Sequence, residues 1–180
     1  MLRFGHLWAI LALSILLPFF LQAKEPIRTE EGIVTKVVDG NTIHVTTPED
    51  SQLEIRLYGI DAPEAEKVNR RTGVVSKPGQ PYGAEAEKAL TEKVLDKKVK
   101  VVVMDIDRYP RMAAIIYLDG RDINREMVKE GHAWAYREYL RGPYVSEYSD
   151  AEKEARSQHL GLWANPEPPW EFRKRLNLDR

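Results

Sequence analysis

The chain has 180 residues, with 27 lysines and arginines against 28 acids, a net charge of −1 and no cysteine. That balance excludes a bulk electrostatic hold on a polyanion, so any such binding depends on where single arginines and lysines stand. The lack of thiols excludes disulfides, thiolate metal sites and a cysteine nucleophile together.

Residues 1–23 read as an export signal. Arg3 and His6 precede the apolar run Leu7 to Leu21, and Leu21-Gln22-Ala23 offers small-residue cleavage before Lys24. The run is interrupted by Ser14 and Pro18 and falls short of the roughly 20 residues that a membrane span needs. An uncleaved anchor, and with it a membrane tether, is the lesser alternative to release into the periplasm or the medium. Cleavage leaves about 157 residues, enough for one domain around a single core. It also removes Arg3, leaving 26 of the 27 basic residues and a net charge of −2.

After a short linker (24–30), Glu31 to Val38 and Thr42 to Thr47 are β-rich runs flanking Asp39-Gly40, a hairpin-turn signal. Thr47 to Ser51 turns the chain again, and Gln52 to Tyr58 alternates. Leu53, Ile55 and Leu57 share one face; Gln52, Glu54, Arg56 and Tyr58 share the other. Ala65 to Gln80 is polar, carries Lys67, Arg70, Arg71 and Lys77, and reads as a long loop, functional or solvated. Tyr82 to Leu95 predicts a helix with Ala86, Leu90 and Val94 inward.

Lys98 to Asp105 and Met112 to Leu118 read as two more strands, joined through Asp107 to Arg111. A second helix is expected over Ile123 to Glu130, stopped by Gly131, and a third over Tyr148 to His159. The tail 165–180 holds Pro166, Pro168 and Pro169 and is expected to lie extended against the body of the domain (31–164). Five strands in a three-plus-two arrangement with three α-helices predict a small β-barrel of the OB-fold type, an α+β domain.

Chemistry-bearing residues gather at the strand ends. Arg56 ends the third strand on its polar face, where a lone arginine would read as half of a cross-strand ion pair. Asp61 and Glu64 flank Ala62-Pro63 in the following turn, and Arg111 follows Tyr109-Pro110. Guanidinium groups, oxygen ligands and a spare carboxylate suit a phosphodiester. His44, His132 and His159 have no metal-ligand spacing. Tyr136, Tyr139, Tyr144 and Tyr148 are read as packing before they are read as a stacking platform.

In order and spacing these pieces resemble the thermonuclease (staphylococcal-nuclease-like) family. The matching runs are Val38 to Thr42, Arg56-Leu57-Tyr58-Gly59-Ile60-Asp61-Ala62-Pro63-Glu64, Tyr82-Gly83 and Asp107-Arg108-Tyr109-Pro110-Arg111. Leu118-Asp119-Gly120, Val128 to Gly131, Ala133-Trp134 and Gly161-Leu162-Trp163 follow in register, so the resemblance spans about residues 31 to 170.

The resemblance implies an OB barrel and Ca2+-dependent hydrolysis of DNA and RNA; a monomer is expected, and no stable protein partner is implied. By position, Arg56 and Arg111 would hold the scissile phosphate and stabilise its growing charge. Glu64 would activate or orient the attacking water. Asp61, the Ala62 carbonyl and Asn41 would ligate calcium. Arg108 and Tyr109 would contact phosphate and base, and Tyr136 and Tyr139 would line the nucleotide pocket.

Two positions depart from the family pattern. Asn41 replaces a metal carboxylate, which implies weaker calcium binding. Pro110 stands where glycine is usual and restricts Tyr109. These departures and the mildly acidic balance also suit a catalytically weak or silent OB module that binds nucleic acid or protein. A phosphodiesterase for small nucleotides is a third reading.

Overall fold

A computed structural model describes residues 25–108 and 111–177, with the side chains of Asp107 and Arg108 left out. The expected signal segment 1–23, Tyr109, Pro110 and the Arg108 side chain therefore lie outside the described residues.

Five long strands carry the fold: β1 (Arg28–Asp39), β2 (Thr42–Thr46), β3 (Gln52–Leu57), and, further along, β7 (Lys98–Arg108) and β8 (Arg111–Leu118). Four shorter pieces fall between and after them: β4 (Ile60–Asp61), β5 (Lys67–Val68), β6 (Val75–Lys77) and β9 (Arg121–Asp122). The order β3-β2-β1-β7-β8-β9 closes on itself because β3 also pairs with β8 in parallel. This is the OB-type barrel that the sequence predicts.

β1 reaches both neighbours by bending. Register shifts between Val34 and Lys36 and between Val37 and Asp39 mark irregularities, which add local twist to an antiparallel strand. β1 starts at Arg28, inside the stretch read as a linker. Its polar residues Arg28 to Glu31 carry no apolar alternation, yet they pair in register with Val103 to Lys100.

The barrel interior is filled by Val34, Ile43, Val45, Ile55, Val101, Val103 and Ile116, all fully buried. Helix α1 (Gly83–Val94) adds Ala86, Leu90 and Val94 at the predicted four-residue spacing. Helix α2 (Ile123–Lys129) adds Ile123, Met127 and Val128. It stops at Gly131, whose positive φ allows His132 N–H to bond to the Met127 carbonyl and Gly131 N–H to that of Val128. That stop aims the chain into β10 (Trp134–Ala135), which pairs with β4.

Helix α3 (Tyr144–Ser157) begins a turn earlier than predicted, and a 3-10 turn covers Gly161–Ala164. Three expectations need correction. Residues 65–80 are not plain loop, since β5 and β6 pair as a small ribbon. Tyr58 is buried rather than on the polar face, and its hydroxyl donates to the Tyr139 carbonyl.

The tail is not wholly extended, because it turns into a fourth helix, α4 (Pro169–Arg175). The prolines start that helix rather than prevent it: Pro169 takes its first turn, where a missing N–H costs nothing. Among the described residues no helix is long and apolar enough to cross a membrane.

Candidate active site

Asp61 is placed by three local features. Gly59 turns the chain with φ +72°, and a Cβ there would collide with Leu140. β4 then pairs with β10, setting Asp61 opposite Trp134. The surrounding packing leaves the Asp61 carboxylate almost wholly buried.

Such a charge must be paired, and it is. Arg56 Nη2 donates to Asp61 Oδ1 at 2.8 Å, and Asn41 Nδ2 donates to the same oxygen at 3.1 Å. Burial raises the Asp61 pKa, against the opposing pull of Arg173 and Arg56.

Glu64 comes next along the chain. Its N–H bonds to Gln80 Oε1, and its carbonyl accepts from Gln80 N–H at 2.8 Å. The same carbonyl lies over Gly83, where any Cβ would overlap it. The carboxylate forms ion pairs with Lys77 at the end of β6 and with Arg173 of α4 at 2.9 Å. Burial acts to raise the Glu64 pKa, but the hydrogen bonds from Lys77 and Arg173 outweigh it and hold the pKa below the usual carboxylate value.

Arg173 ties the two acids together. Its Nη2 lies 2.8 Å from Asp61 Oδ2, while its Nη1 reaches Glu64 Oε1 at 2.9 Å and Asp61 Oδ1 at 3.3 Å. Burial works against the Arg173 charge, and its bonds to Asp61 and Glu64 more than restore it, so its pKa is raised.

Arg111 opens β8. The parallel register sets Glu54 beside Arg111 and Arg56 beside Ala113, so Arg56 and Arg111 share one face a single pleat repeat apart. Tyr136 feels the charges of Asp61 and Arg173 and stacks on Trp170 of α4, with centroids 5.2 Å apart and planes 10° apart. Tyr139 leans on Tyr136 at 4.9 Å and is largely exposed. Ala62 is buried between Asp61 and Glu64.

Sequence reasoning thus brought Asn41, Arg56, Asp61, Glu64 and Tyr136 to one region. It missed Lys77, Gln80, Trp170 and Arg173. Lys77 lay in a segment marked for its length and charge but without a motif. The signal for Arg173 was Pro168-Pro169 followed by Trp170 to Arg175, a helix start that the proline count concealed.

Asp61, Glu64, the Asn41 carboxamide and the Ala62 carbonyl are all oxygen donors, the type a hard divalent cation takes. Two carboxylates converging on one cationic group also fit such an ion in charge. Here that group is a guanidinium, and Asn41 presents its Nδ2 to Asp61, so the amide must rotate to offer Oδ1. Among the described residues no three histidine, cysteine or acidic side chains cluster.

The family model described as staphylococcal nuclease homologue matches residues 54–165. The chain belongs to the staphylococcal-nuclease-like family. A Haemophilus influenzae protein described as an uncharacterized endonuclease is 33% identical over 173 residues, covering 94% of this chain and 88% of the relative. The micrococcal nuclease of Shigella flexneri is 34% identical over 154 residues, 79% of this chain and 80% of that protein. A probable staphylococcal-like nuclease of Oryza sativa is 42% identical over 122 residues, which make up 67% of this chain but 32% of the rice protein. The family-model match takes in Arg56, Asp61, Glu64, Arg111 and Tyr136, while β1, β2, Asn41 and α4 lie outside it.

Proposed function

We propose that the protein is an exported, calcium-dependent phosphodiesterase that hydrolyses DNA, RNA or both with little sequence preference. The supporting observation is the convergence of Asp61 and Glu64 on a single cationic group, with Arg56 bonded to Asp61 at 2.8 Å. A barrel alone does not require two buried acids held by two cations, because burying charges is costly.

In this reading Arg56 and Arg111 hold the phosphate oxygens from one barrel face and stabilise the charge that grows on them. Glu64 accepts a proton from water. The water oxygen bonds to phosphorus, the bond to the leaving oxygen breaks, and the leaving oxygen takes a proton from solvent. Asp61, the Ala62 carbonyl and Asn41 would hold the calcium, which when bound would polarise the phosphoryl group. Tyr136 and Tyr139 take the base, with Arg108 and Tyr109 contributing by their positions in the family pattern.

Export rests on the residue pattern of 1–23, and release by cleavage after Ala23 is part of the proposal. The rival, a silent binding module, draws on Asn41 and on the ion pairs that occupy both acids. Cleavage of single-stranded DNA and of RNA by the mature chain separates the two. The enzyme reading expects cleavage with calcium, loss on chelation and recovery on readdition. Cleavage undiminished by a chelator contradicts the metal dependence, and binding without cleavage under any divalent ion favours the module.

A further inference from the structure

The C-terminal helix α4 covers this site with two side chains at once. Arg173 bridges Asp61 and Glu64, and it is 16% exposed. Trp170, one turn earlier on the same helix, lies flat on Tyr136. A guanidinium thus stands between the two acids, and an aromatic plane stands where Tyr136 would stack a base. The two contacts imitate the two halves of a nucleotide–metal complex, one cationic and one flat.

The way α4 is attached suits an element that comes and goes. It is a short helix, Pro169–Arg175, at the end of a proline-bearing strap. Its apolar anchoring is modest: Phe172 and Pro169 are buried, and Trp170 lies edge-on to Trp134 at 5.5 Å beside Trp163 and Leu162. Gln80 Nε2 donates to the Glu167 carbonyl at 2.6 Å, so the strap is held by the same side chain that fixes the Glu64 backbone. Helices this short have little stability of their own and depend on what they dock against. Its hold on the two acids is ionic, through Arg173, so a competing cation can displace it there.

We propose that α4 is a built-in plug, competing through Arg173 with the divalent cation and through Trp170 with the nucleobase, so that ion and nucleic acid open the site together. This rests on the nuclease reading of Asp61, Glu64 and Tyr136. With Arg173 in place, Glu64 is bonded to two cations and Asp61 to two guanidiniums, and their side chains are only 9% and 1% exposed. A ligand that binds an open state pays for the closed population, and its apparent affinity falls by the open fraction. Cation and nucleotide should therefore promote each other's binding, since each removes one half of the plug.

The test uses the full mature chain and two variants, Arg173→Gln and Trp170→Ala, each checked for folding by circular dichroism. Calcium binding is measured by calorimetry with and without a nucleoside 3′,5′-bisphosphate, and the Trp170 indole N–H resonance is followed in the wild-type protein. The plug predicts that Arg173→Gln tightens calcium at least about tenfold. It also predicts that Trp170→Ala tightens the nucleotide, and that the Trp170 resonance moves to an exposed position when both ligands are added. An Arg173→Gln protein that cleaves nucleic acid poorly and binds calcium no better, beside an active wild type, overturns the plug and makes Arg173 part of the working site. If wild type and variants alike neither bind calcium nor cleave, the plug fails together with the nuclease reading.

Discussion

Arg173 and Asp61 stand 112 residues apart in sequence and meet through Nη2 and Oδ2 at 2.8 Å. The last helix of the chain thus neutralises a carboxylate that the barrel has buried. Removing one partner of such a pair leaves a charge with less compensation than burial demands.

Glu64 carries the proton transfer in the proposed reaction. Glu64→Gln keeps the shape and removes the base, so kcat should fall by about 10²- to 10⁴-fold with the fold retained. A steady-state assay with calcium in excess, alongside a circular dichroism spectrum, checks both parts. An unchanged kcat would exclude Glu64 as the base.

Asn41→Asp should act in opposite directions with and without calcium. Asn41 Nδ2 donates to Asp61 Oδ1 at 3.1 Å, and a carboxylate there would replace this bond with repulsion. The metal-free protein should lose about 1–3 kcal/mol, the cost of an unmet buried polar pair. Calcium should bind more tightly through the added charge and restore the loss. Thermal melts with calcium and with chelator read both effects.

Gly83 lies under the Glu64 carbonyl so closely that no Cβ fits. Gly83→Ala should destabilise by roughly 1–3 kcal/mol as helix α1 or the Glu64 backbone shifts. Because the shift reaches Glu64, kcat should fall as well. A control such as Gly120→Ala, at an open turn, loses stability through its positive φ but leaves kcat alone.

His132 supplies a pH dependence remote from the two acids. Burial lowers its pKa from 6.5, with Glu130 opposing and Lys93 acting in the same direction as burial. Its Nδ1 lies 3.2 Å from the Tyr82 hydroxyl, and the two rings stack. The unfolded chain takes up this proton near 6.5, while the folded protein resists until lower pH. The His132 contribution is therefore complete above the unfolded value and is lost as pH falls through it toward the folded one. Urea unfolding at about pH 7.5 and about pH 5.5 should show a smaller acid loss in His132→Gln than in the wild type.

Much of the barrel was legible because apolar alternation and turn residues coincide. Leu53, Ile55 and Leu57 are buried as their spacing demands, and so are Ala86, Leu90 and Val94. The start of β1 was not legible, because Arg28 to Glu31 join the sheet through backbone pairing with β7 and leave no apolar pattern. In the site, Arg56, Asp61 and Glu64 are close in sequence and announce themselves. Lys77 and Arg173 reach Glu64 from a ribbon and a tail, and such contacts depend on tertiary packing that no local spacing encodes. Asn41 is the middle case: its place beside Asp61 was expected from the family pattern, but its donor orientation toward Oδ1 was not.

The most direct measurement is a crystal structure of the full mature chain with calcium and a short oligonucleotide. The account predicts an ion bound by Asp61, the Ala62 carbonyl and a rotated Asn41, a phosphate between Arg56 and Arg111, a base on Tyr136, and Arg173 withdrawn. An oligonucleotide bound elsewhere on the barrel, with Arg173 still bridging Asp61 and Glu64 and no ion beside them, would contradict it.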